Sequence, residues 1–178
     1  MLTLKKTLLV IVDIQDKLAR VMPERDALVE SVSRLIRGAG VLGVPILFTE
    51  QNPAGLGPTV PELRPLLGGV PIVKRAFSCC GEPAFVQALR ASGRRQVLLA
   101  GMETHVCVYQ TARDLRADGY EVEVVVDAVA SRTAANRALG LEKIRAAGAG
   151  VTSVEAALFE LLGVADGPSF KEILQIVK

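Results

Sequence analysis

The chain has 178 residues, half of them hydrophobic and 22% charged, with a formal net charge of +2. That suffices for one domain, residues 1–178, around a substantial buried core. Scattered Lys and Arg with few aromatics argue against nucleic-acid binding, and the apolar runs fall well short of the roughly 20 residues that cross a bilayer.

Lys5 and Lys6 before an apolar run mimic a secretory signal. Asp13 and Asp16 follow at once, however, and no small-residue cleavage site appears, so the run reads as a first strand, "TLLVIV" at 7–12. Residues 24–42 place Leu28, Val29, Val32, Leu35, Ile36 and Ala39 at helical spacing. "VPILFT" (44–49) is a second strand, followed by a Pro- and Gly-rich loop (50–69) and a third strand, "VPIV" (70–73). A helix over 82–92 carries Pro83 in its first turn, where proline is tolerated. "QVLLAG" (96–101) is the fourth strand and 104–117 the next helix. "EVEVVVDA" (121–128) is the fifth strand, and a helix spans about 133–147. A short sixth strand (149–153) and helical segments near 153–162 and 168–177 complete the chain.

Continuously apolar strands are buried on both faces, as parallel strands covered by helices must be. Alternating β and α units predict a three-layer α/β/α, doubly wound, six-stranded parallel sheet. Ligands in such folds sit beyond the carboxyl ends of the strands, where the strand order reverses. The residues there are Asp13, Glu50 to Asn52, Lys74, Glu103 to Cys107, and Asp127.

Three cysteines, two of them adjacent (Cys79 and Cys80), make a poor disulfide framework and point to a reducing, cytoplasmic setting. The single histidine, His105, excludes a multi-histidine metal centre. Cys107 follows the fourth strand by six residues. With Thr104 as N-cap, it would occupy the third helical position, where free amides and the helix dipole lower a thiol's pKa. Position alone favours a buried structural thiol. Asp13 is a possible base or a simple cap, and Lys74 a possible site ammonium or a solvated charge. A thiol, a carboxylate and an ammonium at three strand ends can nevertheless converge on one crevice and perform nucleophilic catalysis.

Three motifs in order, "VDIQ" (12–15), "VKRAFS" (73–78) and "GMETHVCV" (101–108), resemble those of the isochorismatase-like cysteine hydrolases. "TEQNPAGLGPTVPEL" (49–63), "DAVASRT" (127–133) and "PSFKEILQIVK" (168–178) extend the likeness to the isochorismatase domain-containing branch. The resemblance implies a catalytic Asp13, Lys74 and Cys107, and an oxyanion hole from the amides of Glu103 and Cys107. It also implies a cis Met102–Glu103 peptide that aims those amides, and substrate contacts from Gln51, Asn52, Phe77 and Thr104. Family members are commonly oligomers, so a homo-oligomer is expected.

Metal-dependent relatives place His and Asp between the second strand and the lysine. Residues 49–73 hold no His, so neither metal nor another cofactor is expected. True isochorismatases lack the nucleophilic cysteine, which leaves acyl transfer from a small amide or related carbonyl compound to water. His105, two residues before Cys107 on a helix, would point away from it. Cys79 and Cys80 read as packing residues near the pocket rim, and Asp127 as a cap. The alternatives are a non-catalytic binding or assembly module of the same fold and a nucleotide-binding protein. The first strand-to-helix turn, "DIQDKLARVMPE", has no glycine for a phosphate cradle, which disfavours the last.

Overall fold

A computed structural model describes residues 1–178. Six parallel strands form one sheet in the order β3-β2-β1-β4-β5-β6. They are β1 (Thr7–Val12), β2 (Ile46–Gln51), β3 (Ile72–Lys74), β4 (Gln96–Met102), β5 (Glu121–Ala130) and β6 (Gly150–Thr152). The helices are α1 (Asp16–Ala19), α2 (Arg25–Val41), α3 (Pro53–Leu56), α4 (Pro83–Ala91), α5 (Tyr109–Ala117), α6 (Ala134–Ala146), α7 (Val154–Leu162) and α8 (Gly167–Val177). The three-layer expectation holds. Strands two and three end later than expected, and β5 extends two residues further.

Side chains alternate across a strand, and β1 feeds two cores. Leu9 and Ile11 join α2, α7 and α8 on one face, while Leu8, Val10 and Val12 join α4, α5 and α6 on the other. The predicted apolar stripe of α2 is buried as read. Leu35 is fully buried there.

The chain runs outward from β1 through β2 to β3, then returns to add β4, β5 and β6 on the other side. The order therefore reverses between β1 and β4, which opens a crevice beyond their carboxyl ends. The registers line up the residues at its lip. Val12 pairs with both Thr49 and Gly101, and Gln51 pairs with Lys74. Gly101, at φ 144°, is required there: a Cβ would stand 2.2 Å from the Val12 carbonyl oxygen.

Candidate active site

Asp13 leaves β1 with φ 52°, a left-handed conformation uncommon outside glycine. Strain of this kind persists only where the surroundings enforce it, and it gathers at functional sites. Asp13 is fully buried. Its Oδ1 accepts a hydrogen bond from Thr49 Oγ1 at 2.7 Å, and its Oδ2 lies 2.6 Å from Lys74 Nζ.

Lys74 is fully buried too, which removes the reading of a solvated strand-end charge. Its three N–H donors go to Gln51 Oε1 (2.7 Å), Ala76 O (3.1 Å) and Phe77 O (3.0 Å), and it meets Asp13 as an ion pair. A buried ion pair is costly unless such additional bonds satisfy it; the ammonium is fully satisfied, while Asp13 Oδ2 has the ion pair and no hydrogen bond. Gln51 in turn donates through Nε2 to Arg75 O. Its backbone is clamped by Gln15, which takes the Gln51 amide on Oε1 and donates to the carbonyls of Gln51 and Gly57. Gln51, expected on the substrate, is thus committed to holding Lys74. Asn52 adopts φ 39°, donates its amide to Lys74 O and turns the chain into α3. Phe77 contributes its carbonyl to the ammonium and leaves its ring 56% exposed.

The turn carrying Cys107 differs from expectation. Thr104–Val108 form a π-helical turn, α5 begins only at Tyr109, and the N-cap is Glu103 in the left-handed region. Thr104 caps nothing; it is fully buried and its hydroxyl has no partner. Single π turns are frequent at functional sites. Every peptide bond is trans, Met102–Glu103 included. The backbone turns instead through φ 144° at Gly101 and φ 57° at Glu103.

The Glu103 amide has no acceptor within the protein, whereas its carbonyl receives Val106 N and Val108 N. Gly140 of α6 lets that helix close on the turn, since a Cβ there would stand 2.6 Å from His105 N.

Cys107 is buried, with 6% of its surface exposed, and close enough to Asp13 and Lys74 for both charges to act on its thiol. Burial pushes its pKa up to about 12; the Lys74 ammonium pulls it down and the Asp13 carboxylate raises it further. Burial thus acts against the lowering expected from a helix terminus, and Cys107 lies in the π turn ahead of α5.

Cys79, read as rim packing, is instead fully buried against the same pair. Its Sγ lies 3.9 Å from Thr49 Oγ1, and burial raises its pKa to about 11. Cys80 points elsewhere and lines a separate cavity with Val86, Leu89 and Arg90. Asp127 accepts from Val154 N at 2.9 Å, at the first residue of α7, whose N-cap is Ser153, instead of capping the turn that follows it. His105 pairs through Nδ1 with Ser131 Oγ at 3.1 Å, away from the ion pair. Thr49 and Gln15 had no assigned role in the sequence. The signal available was that β2 lies between β1 and β3, so its terminal polar residues must border both Asp13 and Lys74.

No cluster of three or more His, Cys, Asp or Glu side chains with metal-binding geometry is present, and no helix is long and apolar enough to cross a membrane.

Residues 7–156 match the isochorismatase domain family. The chain is 43% identical over 173 residues to isochorismatase domain-containing protein 2 of Bos taurus, covering 97% of this chain and 83% of the relative. Among solved structures, a Caenorhabditis elegans protein described as MAR1 ribonuclease is 36% identical with a TM-score of 0.92, over 99% of this chain and 91% of that one. The Escherichia coli YcaC gene product, described as an octameric hydrolase of unknown specificity, is 26% identical with a TM-score of 0.92, over 98% and 89%. With that fold and these matches along nearly its whole length, the chain belongs to the isochorismatase family.

Proposed function

We propose that the protein is a cysteine hydrolase acting on a small amide, carbamoyl compound or ester, with Asp13, Lys74 and Cys107 as its working groups. The observation that carries this reading is the fully buried Asp13–Lys74 pair at the sheet's reversal point, with Cys107 beside it. A buried pair is weak evidence for stability, since apolar replacements often do as well; its placement beside a thiol favours chemistry.

With a thiol pKa of about 12, Cys107 rests as the neutral thiol. Attack then requires proton transfer in the same step. As Sγ bonds to the carbonyl carbon, its proton passes to Asp13, and the opened C=O becomes an oxyanion held by the amides of Glu103 and Cys107. The C–N or C–O bond breaks, the leaving group takes the proton from Asp13, and a thioester remains. Water attacks it, gives a proton to Asp13, and the acid leaves as the proton returns to sulfur. Lys74 holds Asp13 in place and offsets negative charge throughout. The unpartnered Glu103 amide supports its role as oxyanion donor.

Val70, Val73 and Phe77 are 82%, 50% and 56% exposed along the β3 edge beside the site. With an octameric relative, they support a homo-oligomer in which a neighbouring copy covers this edge. Three free thiols suit a reducing, cytoplasmic setting.

A panel of small amides, carbamoyl compounds and esters, assayed against wild type and Cys107→Ala, tests the proposal. Turnover of at least one compound is expected, lost in the variant. RNA belongs in the panel because of the worm relative's description, and no Cys107-dependent cleavage of it is expected. Hydrolysis that survives Cys107→Ala contradicts the scheme.

A further inference from the structure

The mechanism above uses only the backbone of Glu103, yet its side chain is the more unusual feature. The carboxylate is buried, 8% exposed, and meets two groups. Oε1 lies 3.2 Å from Arg132 Nε, on the loop between β5 and α6. Oε2, which has no hydrogen-bond partner, lies 3.6 Å from His105 Nε2. The far side of that imidazole is fixed by Ser131 Oγ. The residue so anchored is the one holding φ 57° at the head of the π turn, with a carbonyl that accepts two amides and an N–H that has no acceptor.

A left-handed non-glycine residue stays put only when several contacts over-determine it. Here the carbonyl ties the peptide to its own turn, while the carboxylate ties it to the β5–α6 loop. Neither tie touches the reacting atoms, and together they fix where the amide points. Oxyanion donors lose their effect when they are misaimed, because they act by being in place before charge develops.

We propose that the Glu103 carboxylate, braced by Arg132 and His105, is the positioning residue that aims the Glu103 amide at the developing oxyanion. The inference rests on the acyl-transfer reading above and adds a side chain to it. Arg132 is 59% exposed on its side chain, so the brace is built partly from the surface and can be removed there without opening the core.

Two reagents separate the role from general loosening. Acetylation of Cys107 by p-nitrophenyl acetate passes through a tetrahedral oxyanion: the acetyl group moves to Sγ, p-nitrophenolate leaves, and the thiol proton goes to Asp13. Alkylation by iodoacetamide displaces iodide at a saturated carbon and forms no oxyanion.

Glu103→Gly accepts the left-handed backbone without strain, so a side chain with no role predicts full activity and a merely structural one a parallel loss of both rates. The positioning role predicts acetylation slower by about tenfold or more, approaching the roughly 10²–10³ of a fully lost oxyanion donor, and alkylation within about twofold of wild type. Glu103→Gln keeps an oxygen for Arg132 and should recover most of the acetylation rate. Arg132→Ala, whose substitution lies at the surface, should lower acetylation several-fold and leave alkylation alone. It serves if Glu103→Gly does not fold.

Acetylation of Glu103→Gly at the wild-type rate, or a parallel loss of both rates, overturns the positioning role and leaves Cys107 as nucleophile. A wild-type protein whose Cys107 is alkylated but never acetylated removes the acyl-transfer reading itself, and this inference with it.

Discussion

Thr49 reaches Asp13, 36 positions earlier in the sequence, through a 2.7 Å hydrogen bond to Oδ1. Its neighbour on the other side is Cys79, a second thiol beside the ion pair, sealed from solvent where Cys107 is not. Thr49→Val keeps the shape and deletes the donor. It should destabilise the protein by about 1–3 kcal/mol, the cost of an unpaired buried acceptor, and slow Cys107-dependent turnover several-fold. Urea unfolding and the hydrolysis assay report the two effects separately. Lys74→Met leaves a buried carboxylate uncompensated and should cost about 3–5 kcal/mol in the same unfolding measurement. A loss below about 1 kcal/mol would mean that the pair is not dry. The thiols add a pH dependence. Cys79, Cys80 and Cys107 titrate near 11, 12 and 12 in the folded chain, against 9.0 for the free group. Between those values the unfolded chain binds fewer protons than the folded one, so stability falls as pH rises. The urea midpoint should drop as pH rises from about 9 to about 11, and the drop should shrink in Cys79→Ala.

The strands and long helices were legible because their signals are local. Val32, Leu35 and Ile36 fall at helical spacing and are buried as read, and the unbroken apolar run of β1 is buried at every position. The turn after β4 was not legible. Thr104 looks like an N-cap, but α6 descends on the turn at Gly140, the β5 register slips between Leu99 and Gly101, and Glu103 takes the cap position with a left-handed backbone. These are consequences of packing between distant segments, and no window of sequence around Thr104 contains them. The short helices α1 and α3 escaped for a related reason, being fixed by Gln15 and by the turn at Asn52. Gly140→Ala should therefore destabilise the protein by about 1–3 kcal/mol through overpacking against backbone. Gly101→Ala should cost more, because it adds strain at φ 144° to a collision with the Val12 carbonyl. Comparing the two by denaturant midpoint checks the ranking. A Gly101→Ala variant as stable as wild type would contradict the close approach of β1 and β4.

At the scale of the whole molecule, topology does what no single motif can. A sheet that grows outward from β1 in both directions delivers Asp13 and Cys107 to opposite sides of one crevice, and β2 hands Lys74 across through Gln51. Asp13, Lys74 and Cys107 were legible as polar residues at strand ends, and motif resemblance supplied their expected roles; the contact between Asp13 and Lys74 follows from strand order. The exposed apolar edge at β3 argues for assembly. Light scattering coupled to size exclusion should give a multiple of the 18.9 kDa chain, reduced in Phe77→Asp.

The central claim is that Cys107 carries the acyl group, and acid-quenched peptide mass spectrometry after a brief reaction with p-nitrophenyl acetate tests it most directly. The account predicts a hydroxylamine-sensitive acetyl group on the Cys107 peptide of the wild type and far less of it in Asp13→Asn. An acetyl group carried mainly by Cys79, Cys80 or Lys74, or equal labelling of the two proteins at Cys107, would contradict it.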